Sequence, residues 1–565
     1  MQLDKQQLIA VNQLEGIHLI SAPAGSGKTR ILISRIEKLI EKGISPTTIL
    51  AISFTRESVK ELRERCRYPI KLYTVHGLCY KIIKEQMPLV EVISSTKRKI
   101  YLKKAIKRIG LDEAELSTIS LMISQMKNKM TTNHEDKEIE LIYRYYEQSK
   151  KDYEIDFDDM MLIAIDILSN EEAMMTYSPS YLLIDEAHDL SVSQHKVIEK
   201  LCSDNILYIS SCLQSIYEWR CANPSLISNL DKTYPNLQKF TLDNNYRCRK
   251  KIVILSNMIS KHCNTPLPAK HIKEGGIITY LGIYPTIEEE ANEIVNRITD
   301  NDTAILFRTN WYGMYIEREL RYQKIPYNIL GRRSFFELSE IQHMLAYIEL
   351  SINIDNKEAF ELIYNIPNRY LGNAWKREYN FTPLLHLDDI LNSRFHTSDK
   401  RKYAYWYKNQ QALLVHLNYL NDICQTPEEV ISWVRTQMNY DKWYKKERDI
   451  SEDDILDNLN EFQLISRGYK DKKIFIKDCS SQEEEITDCI DIGTLHQCKG
   501  KEWNNVSLVG MTQDIIPSYR SDNIDEERRL FYVGTTRARD RLIISSSIHR
   551  QFNTPSNFLY EIGMC

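Results

Sequence analysis

Two short stretches of this chain carry residues able to manage a triphosphate. The first is SAPAGSGKTR, residues 21–30. It follows GIHLI, an apolar run that reads as a buried strand, and precedes TRILISRIEKLIEK, whose Ile31, Leu32, Ile36, Leu39 and Ile40 fall at helical spacing. Glycines on a strand-to-helix turn bring backbone amides close to phosphate oxygens, and the helix N-terminus adds positive potential. Ala24, Gly25, Ser26 and Gly27 would form that cradle. Lys28 would reach the β- and γ-phosphates, and Thr29 would hold Mg²⁺. Ala22 stands where the first glycine of the general phosphate-loop pattern is found. The second stretch is YLLIDEAHDL, an apolar strand closing on Asp185 and Glu186. Adjacent carboxylates at the end of a buried strand are costly unless they face a cation or a reacting water. Asp185 suits the water shell of Mg²⁺, and Glu186 suits orientation or deprotonation of the attacking water. Hydrolysis also needs positive charge on the leaving γ-phosphate, for which Arg247 and Arg537 are candidates that spacing alone does not separate from surface arginines.

These residues need strands and helices to hold them. TILAISF, ILYIS, TAILFR, NVSLVGM and RLIISSS read as further buried strands, so the pattern is α/β with parallel sheets. The 565 residues allow three to five domains of ordinary size. A net charge of −4 advertises no global nucleic-acid field, although a basic groove can hide in a neutral average. The 12 cysteines form no C-x-x-C pair, which argues against a zinc ribbon or a disulfide scaffold and fits a reducing compartment. No apolar signal core opens the chain and no membrane-length apolar run occurs, so a cytoplasmic protein without membrane contact is expected, with the nucleus open for a eukaryotic source.

The order of motifs resembles the UvrD/Rep/PcrA-like superfamily 1A DNA helicases over nearly the whole chain. LDKQQLIAV is similar to the family's Q motif, APAGSGKT to motif I, AISFTRESVKELRER to Ia and TVHG to Ib. DFDDMM resembles the segment re-entering the first core, IDEAHDLSVSQ motif II, QSIYEWRCA motif III and LDNNYRC motif IV. ILFRTN, the segment YNILGRRSFFELSEIQHMLAYI, NIPNRYLG, GTLHQCKGKEW and EERRLFYVGTTRA continue the series.

The resemblance implies two RecA-like P-loop NTPase cores with mostly helical insertions: core 1A at 1–77 and 160–241, insertion 1B at 78–159, core 2A at 242–365 and 486–565, and insertion 2B at 366–485. It implies ATP and Mg²⁺ as cofactors, and Arg247 and Arg537 as paired γ-phosphate arginines. Gln7 would read adenine, Tyr246 would stack on it, and Glu502 would lie near the ribose. Arg30 would be a further nucleotide contact, and Gln214 would link the γ-phosphate to the DNA track. Phe54, Thr55, His76, Tyr217, Trp219, Arg220, Arg308 and His496 match the single-strand path, where stacking on aromatic faces tolerates any base.

The implied activity is a DNA-stimulated ATPase and helicase moving 3′→5′ on single-stranded DNA and at single-strand/duplex junctions. Repair, recombination or replication, with protein partners of those processes, is the implied setting. A translocase that remodels protein–DNA complexes with little unwinding, and a non-catalytic DNA-binding scaffold, stand as alternatives. The chain departs from the family pattern at Ser210, Ser211, Cys212 and Leu213 of motif III, at His188 in place of glutamine, at Arg56 and at Lys501. The run STKRKIYLKKAIKRIG reads as a solvated helix face, with contact to a nucleic-acid backbone as the alternative. QEEEI at 482–486 reads as a surface loop.

Overall fold

The computed structural model describes residues 3–111, 116–331, 334–372, 375, 400–447, 452–479, 489–549 and 552–565. They fall into two compact units: Met1–Glu290 with Ile298–Arg308 and Gly493–Cys565, and Ala291–Arg297 with Thr309–Ile492.

In the first unit, strands β1 (Ile17–Ser21), β2 (Ile49–Ser53), β3 (Lys71–Thr74), β4 (Tyr181–Ile184), β5 (Ile206–Ser210) and β6 (Gln238–Thr241) form one sheet in the order β3-β2-β4-β5-β1-β6. Every neighbouring pair is parallel. Successive side chains of a strand point to opposite faces, so a continuous apolar run supplies two cores at once. Leu50, Ile52, Leu182 and Ile184 enter one cluster, while Ile49, Ala51 and Leu183 enter the other. The helix Lys28–Glu41 places Ile31, Leu32, Ile36 and Leu39 in that second cluster, the face its spacing predicts.

Four parallel strands of a second sheet lie in the same unit, in the order β7-β10-β9-β8: β7 (Ile277–Tyr284), β8 (Thr303–Phe307), β9 (Trp503–Leu508) and β10 (Ala538–Ser547). Helices Ser95–Arg108, Leu116–Asn128 and Lys137–Ser149 are inserted between β3 and β4 and have their own core around Leu102, Ile119, Ile123 and Ile142. The basic run lies on the first of these helices. Two of its cations turn inward, Lys97 to Glu154 at 2.8 Å and Arg98 to Ser124 Oγ at 2.8 Å, while Lys104, Lys107 and Arg108 are exposed.

The second unit is mainly helical, including Asn310–Tyr322, Ser339–Leu350, Lys400–Asp422, Pro427–Thr436 and Glu452–Ser466. One of its buried acids, Glu340, is met by neutral donors, accepting from Tyr444 Oη and Asn458 Nδ2, both at 3.0 Å, while another, Glu317, is ion-paired with Arg321 at 2.7 Å. The QEEEI stretch and the expected boundary at 485/486 lie outside the described residues. Among the described residues no helix is long and apolar enough to cross a membrane.

Candidate nucleotide site and strand path

Gly25 and Gly27 have φ of +75° and +86°, a region L side chains rarely adopt. Space gives Gly25 a second reason to lack a side chain. A Cβ there would stand 2.7 Å from Asn245 Oδ1 and 2.8 Å from Arg247 Cβ. Gly27 is also the N-cap of Lys28–Glu41, and no side chain caps that helix. Its first-turn amides are therefore left for a ligand.

A cleft of about 470 Å³ opens over these amides. Gly25, Ser26, Gly27, Lys28, Thr29, Arg30, Asp185, Glu186, Gln214, Tyr246, Arg247, Glu502 and Arg537 all line it. Thirteen of the expected nucleotide residues, counted from that lining, thus meet in one place. Gln7 and Ala24 are not part of the lining. Gln7 is buried behind the loop, where its Nε2 donates to Ser26 O at 3.0 Å and its Oε1 accepts from Asp4 N at 3.1 Å. Ala24 N donates to Tyr532 Oη at 3.3 Å.

Lys28 Nζ lies 3.1 Å from Glu186 Oε1 and donates to Gln214 Oε1 at 2.8 Å. Burial and the adjacent Glu186 charge push the Asp185 carboxyl up. Burial alone would raise Glu186 as well, but Lys28 and His188 hold it well below the usual carboxylate range. Glu186 has φ of +51°, a strained value for a residue with a Cβ, at the turn after β4. For Mg²⁺ the donor set is hard oxygen, the Thr29 hydroxyl and the Asp185 carboxylate lining the same cleft. The raised Asp185 carboxyl is that of an acid beside which a cation fits.

Two arginines line the same cleft, Arg247 on the strand Asn244–Arg249, which pairs with Lys270–Lys273, and Arg537 just before β10. Arg247 is ion-paired with Glu502 and donates to Thr536 O at 3.2 Å. Glu502 also binds Arg539 at 2.8 Å, and its carboxyl, which burial would raise, is drawn down to about 2 by Arg247 and Arg539. Arg537 is fully buried, and burial, then Arg247, lowers it to about 10. It donates to Val533 O at 3.0 Å, Lys501 O at 3.0 Å and Thr536 Oγ1 at 3.4 Å. No carboxylate forms an ion pair with it among the described residues. A buried guanidinium held only by neutral oxygens is a ready partner for an anion. Tyr246 lines the cleft with its hydroxyl tied to Asp4.

The residues expected on the strand path form separate groups. Phe54 and Tyr217 stack with centroids 5.6 Å apart and planes 19° from parallel. Tyr217 Oη contacts His496 O at 3.5 Å. His76 lies 6.2 Å from Phe157, a ring that is 54% exposed. Trp219 is 52% exposed. Thr55 caps the helix Arg56–Arg65 by accepting from Ser58 N at 3.0 Å. Arg308 is engaged by Glu527 through two nitrogens, at 3.0 and 2.7 Å. The side chain of Arg220 lies outside the described residues.

Spacing did not single out Lys499. Its ammonium reaches Asp189 Oδ2 at 2.5 Å and Gln214 O at 2.8 Å and sits 4.9 Å from the Tyr217 ring centroid. It therefore lines the nucleotide cleft itself and also touches the aromatic pair. Its signal was its place inside the GTLHQCKGKEW motif, three residues after His496. Asn245 was also passed over. It donates to Ala24 O at 3.0 Å and accepts from Arg247 N at 2.9 Å, bracing the phosphate loop against the arginine strand.

Comparison with known proteins agrees with this geometry. Residues 3–235 match the model of the UvrD/REP helicase N-terminal domain, and residues 240–549 that of the UvrD-like helicase C-terminal domain. The chain is 30% identical to an ATP-dependent DNA helicase PcrA of Leuconostoc citreum, over 99% of this chain and 85% of that one. It is 30% identical to an ATP-dependent DNA helicase Rep of Buchnera aphidicola from Acyrthosiphon pisum, over 100% of this chain and 98% of that one. A PcrA of Staphylococcus epidermidis is 27% identical, over 99% and 86%. The fold is thus the α/β class with two RecA-like cores, and the chain belongs to the UvrD/Rep helicase family.

Proposed function

We propose that this chain is an ATP-dependent DNA helicase that walks 3′→5′ on single-stranded DNA and opens duplex ahead of it. The observation that carries the reading is Arg537, a buried guanidinium without a carboxylate partner among the described residues, lining the same cleft as Lys28, Asp185 and Glu186. The names of the similar PcrA and Rep proteins support ATP-dependent DNA helicase activity.

In this reading the loop amides, Lys28 and Arg30 bind the phosphates, and Tyr246 and Gln7 serve the adenine end. Thr29 and, through water, Asp185 would hold Mg²⁺, which supplies charge neutralisation at the β- and γ-phosphates. Glu186 orients and deprotonates the attacking water. Arg247 and Arg537 meet the charge that grows on the γ-phosphate. Gln214, hydrogen-bonded to Lys28, reports the phosphate's presence to the loop bearing Tyr217 and Trp219. Phe54, Tyr217, Trp219, His76 and Phe157 offer faces for bases, and Thr55, Arg220, Arg308 and His496 line the backbone path. Stacking would give about 1–3 kcal/mol per base with little sequence preference.

The proposed organisation is core 1A at 1–77 and 160–241 with 1B at 78–159, and core 2A at 242–365 and 486–565 with 2B at 366–485. We place the activity in the cytoplasm, in repair, recombination or replication. A second reading, translocation that remodels protein–DNA complexes with little unwinding, draws on Ser210–Leu213 at motif III.

The test is ATP hydrolysis with and without single-stranded DNA, followed by strand displacement on 3′-tailed and 5′-tailed duplexes. Stimulation by DNA and displacement only from the 3′ tail are expected. Displacement only from the 5′ tail would reverse the polarity, and stimulation without displacement would favour the second reading. Trp219→Ala should weaken single-strand binding by about 1–3 kcal/mol while basal hydrolysis stays near the parent rate. Unchanged affinity would remove Trp219 from the path.

A further inference from the structure

His188 stands where the family resemblance leads one to expect glutamine, and its two ring nitrogens have different partners. Ser211 N donates to Nδ1 at 3.0 Å. A nitrogen that accepts from a backbone amide carries no hydrogen, so in the neutral ring the hydrogen is on Nε2. Nε2 lies 3.1 Å from Glu186 Oε2 and therefore donates to that carboxylate. The ring is fully buried; Asp189 and Glu186 favour its charged form, but burial outweighs them, lowers the pKa and favours the neutral form. The Lys499 ammonium 3.4 Å away favours the same state and has its own acceptors in Asp189 and Gln214 O. Ser215 Oγ donates to His188 O at 3.3 Å, which fixes the backbone as well.

The other side-chain partner of Glu186 is Lys28, at 3.1 and 3.3 Å. Lys28 lines the cleft and is the residue that phosphate oxygens would recruit. Once it turns to them, His188 is what still fixes the carboxylate. Its bond occupies Oε2 and leaves Oε1 to take a proton from water. Because Ser211 lies just past β5, in the loop that also carries Gln214, the hold on Glu186 follows the position of that loop.

We propose that His188 is a positioning residue for hydrolysis: pinned by the Ser211 amide, it donates from Nε2 to Glu186 and sets the orientation in which that carboxylate activates water. The inference rests on Glu186 acting as the water-activating group.

The experiment measures DNA-stimulated ATP hydrolysis and the affinity for a fluorescent ATP analogue in His188→Ala, His188→Gln and Glu186→Gln full-length proteins. His188→Ala should lower kcat by about 10- to 100-fold with KM and analogue affinity within about twofold, since an oriented base matters to the chemical step and not to binding. His188→Gln, whose amide has one acceptor and one donor, should recover to within about fivefold of the parent. An unchanged kcat in His188→Ala, or a loss as deep in His188→Gln as in His188→Ala, overturns the proposal. Glu186→Gln separates the two layers. If it hydrolyses ATP at the parent rate, the reading of Glu186 fails; if it is inactive while His188→Ala is not impaired, only the role of His188 fails. Should His188→Ala not fold, ¹⁵N-histidine spectra of the parent decide, the His188 signal being the one missing from His188→Gln. Hydrogen on Nε2 supports the proposal and hydrogen on Nδ1 ends it.

Discussion

Around Lys28, one ammonium and a glutamine amide face Asp185 and Glu186 beside an open cleft. Around Lys127, in the inserted helices, two ammoniums are packed against three carboxylates. Lys127 Nζ is 2.7 Å from Asp156, 2.6 Å from Asp159 and 2.8 Å from Glu147, and Lys150 Nζ is 2.5 Å from Asp159 and 2.8 Å from Glu147. Tyr146 adds a hydroxyl to Asp156 at 2.6 Å. Both clusters bury carboxylates beside lysine, yet Asp156 and Asp185 respond in opposite directions. Burial would raise Asp156, but Lys127 and Lys150 hold it far down. Asp185 is raised by burial and by its neighbour. In the Lys127 cluster each carboxylate contacts a lysine. In the Lys28 cluster no cation is ion-paired with Asp185 among the described residues, a place a bound cation could fill. Charge density therefore does not mark a site here; an unpaired carboxylate with access to the cleft does.

The comparison can be broken first at the cations. Arg537 lacks the counter-ion that Lys127 has, so its charge should serve a ligand. Arg537→Ala should lower kcat for ATP hydrolysis by about 10³–10⁵, the range for an arginine at a γ-phosphate, with the fold retained by circular dichroism. A loss below tenfold would place Arg537 with the structural cations. Lys127→Met should do the reverse. Leaving Asp156 and Asp159 buried beside a thioether should cost about 3–5 kcal/mol in urea-melt stability, with hydrolysis per folded molecule near the parent value. Full stability would show that Lys150 alone balances the cluster.

A smaller effect sharpens the contrast in sign. Asp185→Asn should abolish hydrolysis yet stabilise the nucleotide-free protein at pH 7 by about 1 kcal/mol, the scale of one relieved buried polar group. A carboxyl whose folded value is raised carries no penalty below its unfolded value and gains one as pH rises toward the folded value. The stability gain of Asp185→Asn should therefore shrink toward zero as pH falls through about 4, the unfolded carboxyl value. Asp156 runs the other way. Its folded value is depressed, so its contribution is present above the unfolded value and lost on acidification below it. Calorimetry across that range checks both signs, and a gain for Asp185→Asn that grew on acidification would contradict the assignment.

Much of this was legible in the sequence. The strands Ile17–Ser21, Ile49–Ser53 and Tyr181–Ile184 are short apolar runs buried on both faces, and the phosphate loop and Asp185–Glu186 sit where such strands end. Motif order added Arg247, Arg537 and Tyr246, which the lining of one cleft brings together with them. What stayed hidden depends on partners far along the chain. Tyr532 meets Ala24 across 508 positions, and Lys499 meets Gln214 across 285. No local period encodes such pairs. The hydrogen on His188 was equally out of reach, because it follows from which nitrogen a distant amide chooses. Gln7 and Thr55 show the converse. Motif position places them on ligands, while their polar atoms here already brace the loop and cap a helix.

Gly25 leaves less than a methyl group's room between the turn under the phosphates and the strand bearing Arg247. With so thin a gap, the two pieces behave as a single shim. A side chain at the turn would have to displace the backbone that carries the guanidinium.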